Sequence, residues 1–343
     1  MRLRLALIAV AALAAIAPVP AAMVERYYSN AVFPALQRVV TLFSNVWSIA
    51  LLDVLLVLVA VWLVFQIIGI FVLRRRFGWI SATLRTFANI ATAAAIFYLL
   101  FLATWGLNYR RVPISQKVPF DPGRVTPSAV LSLAHTTVDQ VNGLYASAHT
   151  GESVGSPISP SLASAFADAQ RALSVSWRAL PGRPKRSILD FYFLRAGVAG
   201  MTDPFFLETL VASDLLPFER PQVVAHEWAH LSGFNDEGEA NFVGWLTCLR
   251  APDAAKYSGW LFLYGEVMAS LAAQERADVA ARLAAGPRDD LRAIAERLRQ
   301  HVRPFVAYAG WQVYDRYLKA NRVDAGVRSY GDVVRLALGV RLE

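Results

Sequence analysis

Residues 221–241 read Pro-Gln-Val-Val-Ala-His-Glu-Trp-Ala-His-Leu-Ser-Gly-Phe-Asn-Asp-Glu-Gly-Glu-Ala-Asn. His226 and His230 stand at i and i+4, which puts them on one face of a helix. Two imidazoles so placed can bind one zinc ion, and Glu227 beside the first can reach a water on that ion. Zinc lowers the pKa of its water toward about 7, so Glu227 would take the proton as general base and the hydroxide would attack a peptide carbonyl. Pro221 suits the first turn of the helix and Gly233 its end. Two exposed or capped histidines are the bland alternative. The helical context, the glycine stop and the acids that follow argue for a metal site.

A third ligand should come from those acids, Asp236, Glu237 and Glu239. Asn235 could instead cap a second helix, with acids in its first turn opposing the helix dipole. Glu237 and Asn241 share a face at i and i+4, while Glu239 points roughly the other way. A carboxylate ligand at 237 would bring Asn241 near a histidine ring as its orienter. Glu237 ranks first, and Asp236, where a short-spaced zincin would place its ligand, and Glu239 follow.

The elements around this stretch divide in two. Hydrophobic residues make up 56% of the 343 and charged residues only 17%, against about a quarter in a soluble domain, so part of the chain belongs in lipid. Leu5–Ala17 follows a basic start and reads as a signal peptide or a short anchor within residues 1–22. Residues 23–112 form the membrane region, with apolar runs at about 49–73 and 88–107 long enough to cross a bilayer. Asp53 sits near the start of the first, and Trp105 and Tyr109 end the second as an interfacial belt would. The segment 74–87 carries Arg74, Arg75, Arg76 and Arg85 and no acid, so the positive-inside rule puts it in the cytoplasm and everything after about 108 outside. The net charge of +8 is thus topology control; no nucleic-acid motif accompanies it.

Residues 113–343 read as an extracytoplasmic domain. Pro127–Ala146 is a helix capped by Thr126, 151–160 a Ser/Pro/Gly loop, 161–180 a further helix and Pro181–Lys185 a turn. Ser187–Leu194 and Phe205–Val211 are apolar and aromatic with Gly197 and Gly200 between them, which predicts a two-strand hairpin. Beyond Pro221 the chain reads helical, with breaks near Gly233, Pro252, Gly286 and Pro304. Leu261–Leu271 is too short to span and is a buried or interfacial helix. The lone Cys248 is a small buried apolar side chain.

The metal stretch, His226-Glu-x-x-His230-x-x-Gly233-Phe-x-x-Glu237-x-Glu239-Ala-Asn241-Phe242, resembles the bacterial membrane-protein family numbered 3810 among domains of unknown function. Trp105–Tyr109, Gly197–Gly200 with Pro204-Phe205, Tyr314–Asn321 and Ser329–Gly331 fit the same family, so the resemblance covers nearly the whole chain. It implies a membrane-bound, zincin-like protein of the bacterial inner membrane. The Glu237-x-x-x-Asn241 step also resembles the Glu-x-x-x-Asp step of gluzincin peptidases such as the HtpX and CAAX prenyl protease types, which implies Glu237 as third zinc ligand. The chain departs from those enzymes in having Asn241 for Asp and in the short distance from His230 to Glu237. Leu231-Ser232 stands where the family often has polar or basic residues.

The fold expected is mainly α: two or three membrane helices, then a zincin-like domain with a minor β hairpin. The Phe205–Val211 strand would line the cleft and pair with an extended peptide. Tyr314, Tyr330 and His301 are candidates to stabilise an oxyanion, whereas His135 and His149 have no companion pattern. The function expected is a zinc metallopeptidase acting on protein or peptide beside the lipid bilayer. Its rival is a non-catalytic zinc-binding scaffold or sensor, which would close its metal with four ligands and need no Glu227. Transport would need polar residues inside the membrane runs, and few are present.

Overall fold

Apolar runs broken by single glycine or proline positions set the helices of the first third. The computed structural model describes residues 2–150 and 158–342. It opens with α1 (Arg2–Ile16) and α2 (Phe33–Val46), joined through a π-helical stretch, Val24–Val32. α3 (Leu51–Thr104) is long and apolar enough to cross a membrane; α1 with Ala21–Val46 passes that test only as a pair bent by 113°. Within α3, Gly78 adopts φ 74° and ψ 164°, a region essentially open to glycine alone. There the chain doubles back. Asn89 Nδ2 donates to Gln66 Oε1 at 2.9 Å, and the rings of Phe71 and Trp79 centre 5.8 Å apart. In an unbroken helix residues 66 and 89 would stand about 34 Å apart. α3 is therefore two antiparallel legs, with Arg74 over Trp79 and Arg85 over Phe77 at the tip. The arginine-bearing segment is helical on both sides of Gly78, so the reversal needs one residue and no loop. α1 lies along the second leg, where Arg4 Nη1 donates to Asn89 Oδ1 at 2.8 Å.

The rest is mainly helical around one small sheet. α4 (Pro127–Thr150) takes its cap from Thr126, whose Oγ1 accepts from Ala129 N–H at 3.2 Å. Most of the 151–160 loop lies outside the described residues. α5 (Pro160–Ala172) stops short of the 180 expected, because Ser174 turns the chain out at φ 54°. Then come β1 (Pro184–Lys185), α6 (Asp190–Ala196), β2 (Gly200–Thr202) and β3 (Thr209–Val211). The helices α7 (Arg220–Leu231), α8 (Glu237–Cys248), α9 (Asp253–Ser270), α10 (Ala273–Ala281), α11 (Ala285–His301), α12 (Pro304–Ala320) and α13 (Asp332–Gly339) follow.

The sheet corrects the expected hairpin. Its order is β1-β3-β2, with β1 parallel and β2 antiparallel to β3. Ser187–Leu194 is not a strand: it enters α6, which buries Phe193 and leaves Phe191 exposed and ends at Gly197 in the left-handed region. A short apolar run fits either element, and here helix wins. Only the last three residues of Phe205–Val211 pair. The Phe205 and Phe206 N–H groups are instead held in a turn by the Asp203 carboxylate, at 3.0 and 2.8 Å.

Two features tie the sheet to α3. Glu208, at the foot of β3, accepts from the N–H groups of Leu51 and Leu52, each at 3.0 Å, and so caps α3 with negative charge. Lys185 Nζ meets the same carboxylate at 2.5 Å, both side chains fully buried. Beside this pair, Leu52 and Leu55 of α3 share a small apolar core with Phe193, Leu210 and Phe205. The main core lies behind α7 and α8. Gly244 lets them touch, since a Cβ there would stand 2.9 Å from the backbone nitrogen of His226. The 261–271 segment lies largely within α9, with Leu261, Leu263, Val267 and Leu271 all buried. Cys248 is buried and free.

Candidate metal centre

α7 carries His226, Glu227 and His230, with Pro221 in its first turn. Its end is closed by a double turn: Gly233 N–H donates to His230 O at 2.9 Å and Phe234 N–H to Ala229 O at 3.2 Å, with Gly233 at φ 81°. Arg111 adds a donor to the Ser232 carbonyl at 3.2 Å. The turn delivers the Phe234 carbonyl to within 2.7 Å of His230 Nδ1. A carbonyl only accepts, so Nδ1 carries a proton, and Nε2 is the ring nitrogen left to face the site.

Nε2 faces Glu237. Glu237 Oε2 lies 3.6 Å from His230 Nε2 and 3.3 Å from His226 Nε2. One ligand atom from each of the three falls within 4.8 Å of the others, so the group could hold a metal ion. Among the described residues Oε2 has no hydrogen-bond partner although it is buried. Two imidazole nitrogens and a carboxylate oxygen converging on one point form a donor set that suits a divalent transition metal. Electrostatics agree. Burial alone would push Glu237 up, but the two histidines hold its carboxyl far below the usual range. Burial would likewise lower His230, yet Glu237 outweighs it and lifts the imidazole to about 9. The other oxygen, Oε1, accepts a short hydrogen bond from Tyr314.

The remaining acids separate cleanly. Asp236 is the N-cap of α8, its Oδ1 accepting from Glu239 N–H at 3.1 Å, and burial pushes its carboxyl up to about 6. Asn235, the residue first read as the cap, instead donates to the Trp105 carbonyl at 3.1 Å, because the helix starts one residue later than that reading placed it. Glu239 points away and accepts from Ile114 N–H at 2.5 Å; burial pushes it up to about 7, with Lys117 partly offsetting. Asn241 is buried on the cleft wall with His226.

Glu227 is buried against β2. Thr202 Oγ1 lies 2.8 Å from Glu227 Oε2 and 3.0 Å from its carbonyl. Gly200 leaves room for the other oxygen, since a Cβ there would stand 2.7 Å from Oε1. Burial raises the Glu227 pKa, while His226, His230 and the Thr202 hydrogen bond offset part of the rise. Such a carboxylate can receive a proton.

The site opens on a cavity of about 810 Å³ between α7, β2, α6, α12 and the end of α3. The strand along it is not the one expected. β3 lies between β1 and β2 and has no free edge. β2 is the edge strand on the cleft side: Asp203 N–H bonds Glu208 O and Ala212 N–H bonds Ala199 O, so the alternation turns the backbone groups of Gly200 and Thr202 outward.

Of the oxyanion candidates, Tyr314 is at the site. His301 pairs with Asp214 at 3.1 Å outside the cleft, and the Tyr330 side chain lies outside the described residues. His135 and His149 also lie elsewhere, against Arg282 and Asp290. Sequence reasoning missed Thr202, Gly200 and Gln222. Gln222 sits one turn before His226, buried on the cleft wall, and its amide oxygen and nitrogen have no hydrogen-bond partner among the described residues. The spacing of Gln222 from His226 was visible in the sequence; the approach of Thr202 to Glu227 was not. Trp105, read as a membrane-belt residue, is buried with its ring 5.7 Å from that of His230.

No curated protein and no solved structure matches this chain. A family model does, over residues 28–338, and the chain belongs to that family, described as protein of unknown function DUF3810.

Proposed function

We propose that this protein is a membrane-bound zinc metallopeptidase, with His226, His230 and Glu237 as ligands and Glu227 as general base. One observation carries the reading: a three-ligand donor set stands beside a buried carboxylate that is not one of the ligands, at the wall of an open cleft. A structural site would be closed by a fourth protein ligand and would have no use for Glu227. Zinc, when bound, supplies a Lewis acid that makes water acidic near neutral pH. Glu227 takes the proton of the attacking water and passes it to the leaving amine, and Thr202 keeps its carboxylate aimed while it does so. An extended peptide pairs with the outward edge of β2, and Gln222 offers its amide to a peptide group nearby. The two legs of α3 each cross the bilayer, with the arginines at the tip on the cytoplasmic side and residues 23–47 and 108 onward on the other.

The test is zinc content and peptidase activity of purified protein beside Glu227→Gln, on a denatured membrane-protein digest. The reading expects about one zinc in each and new peptide ends from the wild type alone. Zinc in both with no cleavage favours a zinc-holding scaffold, and metal in neither overturns the site.

A further inference from the structure

The first half of α12 is unusual for a surface helix. Residues 304–313 contain no charged side chain, and Phe305 is 82%, Tyr308 67% and Val313 67% exposed. α6 packs beside it, so closely that a Cβ on Gly310 would stand 2.5 Å from the Tyr192 hydroxyl, and adds exposed Ile188 and Phe191. Phe305 and Tyr308, three residues apart, share one face of α12, and exposed apolar residues grouped in this way mark an interaction surface.

Its position says what it meets. Asp53, in the first turn of α3, accepts from Ser187 Oγ at 2.5 Å and from Ile188 N–H at 3.0 Å, so the start of α6 is fastened to the base of the membrane hairpin. Phe205, on the cleft wall, packs its ring 5.8 Å from that of Phe97. Phe97 is seven residues before the end of α3, which puts this contact roughly 10 Å down the leg, within the membrane-facing stretch. The patch is thus continuous with the apolar surface of α3. Arg195 and Arg303 stand among its aromatics; Arg195 lies over the Phe191 ring, and Arg303 N–H bonds the Arg195 carbonyl. Aromatic side chains with arginines beside them suit the headgroup layer of an anionic bilayer.

We propose that α6 and residues 304–313 seat on the lipid surface beside the α3 hairpin, so that the cleft mouth opens at the bilayer interface and receives its substrate there. The seating stands on the surface alone; the substrate clause rests on the metallopeptidase reading.

Full-length protein in nanodiscs of phosphatidylcholine with a minor share of phosphatidylglycerol tests the two separately. In a Cys248→Ala background, nitroxide labels are placed at Phe305→Cys and Tyr308→Cys. Leu58→Cys serves as the lipid reference and Asp289→Cys as the aqueous one. Labels at 305 and 308 should collide more with oxygen than with a water-soluble nickel chelate, as at 58. Labels that behave as at 289 overturn the seating, whether or not the protein cleaves anything. In the second arm, the Phe305→Glu/Tyr308→Glu double variant is given one peptide sequence in two forms, acyl-anchored and soluble. Cleavage of the anchored form should fall about tenfold or more while the soluble form changes little. An equal change on both forms overturns the interfacial cleft. A wild type that cleaves neither form counts against the peptidase reading, and the collision data then decide the seating alone.

Discussion

The backbone carbonyl of Phe234 accepts the Nδ1–H of His230 from 2.7 Å away and so orients the ring. The carbonyl is there because the helix ends in a glycine turn, so the same residue that stops α7 also orients a candidate ligand. Gly233 makes the turn at φ 81°, and a Cβ there would press to 2.9 Å from Arg111. Gly233→Ala should cost about 1–2 kcal/mol through the left-handed backbone. It should also weaken zinc binding roughly tenfold by loosening the partner that orients His230. Chelator competition on the purified variant measures the second effect; unchanged affinity would remove the carbonyl from the ligand set's support.

Thr202 predicts a kinetic effect without loss of metal. Its hydrogen bond lowers a Glu227 pKa that burial has raised, so Thr202→Val should raise that pKa further. On the proposed mechanism Glu227 acts as a base only when ionised. The acid limb of the activity profile should therefore move to higher pH, with activity below it reduced by roughly tenfold, the worth of one hydrogen bond to a charged group. Zinc content should not change. A shift in the opposite direction would contradict the assigned base.

The Lys185–Glu208 pair predicts stability. Glu208→Gln leaves Lys185 charged, buried and poorly partnered, a change that typically costs about 3–5 kcal/mol. Denaturant unfolding in detergent should show a loss of that order. Replacing both with apolar residues, Lys185→Met with Glu208→Leu, should cost less than Glu208→Gln alone, although the capping of Leu51 and Leu52 is still lost.

A pH dependence follows from Glu25. Burial would raise its pKa, but the hydrogen bonds and charges of Arg111 and Lys117 override that and hold it at about 2, below an ordinary 4.5. The folded protein therefore binds fewer protons than the unfolded chain in this interval. The stabilisation is complete above about pH 4.5 and is lost as pH falls toward 2. The melting temperatures of wild type and Glu25→Gln should differ at neutral pH and converge on acidification. A constant difference would mean that Glu25 acts through packing and not through its charge.

What the sequence could tell followed the range of the interactions. His226, Glu227 and His230 were legible because their geometry is set within one helical turn. Glu237 was legible from its face relation to Asn241 and from the family resemblance. The β elements were not. Ser187–Leu194 carries side chains that suit a strand or a helix, and only packing against Leu52 and Leu55 selects the helix. β3 became an interior strand because Pro184–Lys185, read as part of a turn, pairs with it in parallel, a contact between distant residues that no local pattern encodes. Thr202 reaches Glu227 for the same reason: a strand and a helix far apart in the chain are brought together by the fold.

The end of α3 packs against the candidate metal site. Asn235 bonds the Trp105 carbonyl, the Trp105 ring lies against His230, and Arg111 holds the carbonyl of Ser232, the C-cap of α7. The segment that follows α3 is thus part of the candidate site's architecture. A soluble fragment begun at residue 113 would lack one wall of its own cleft and the clamp on a ligand helix. Poor metal retention by such a fragment would report on the cut, not on the full-length protein.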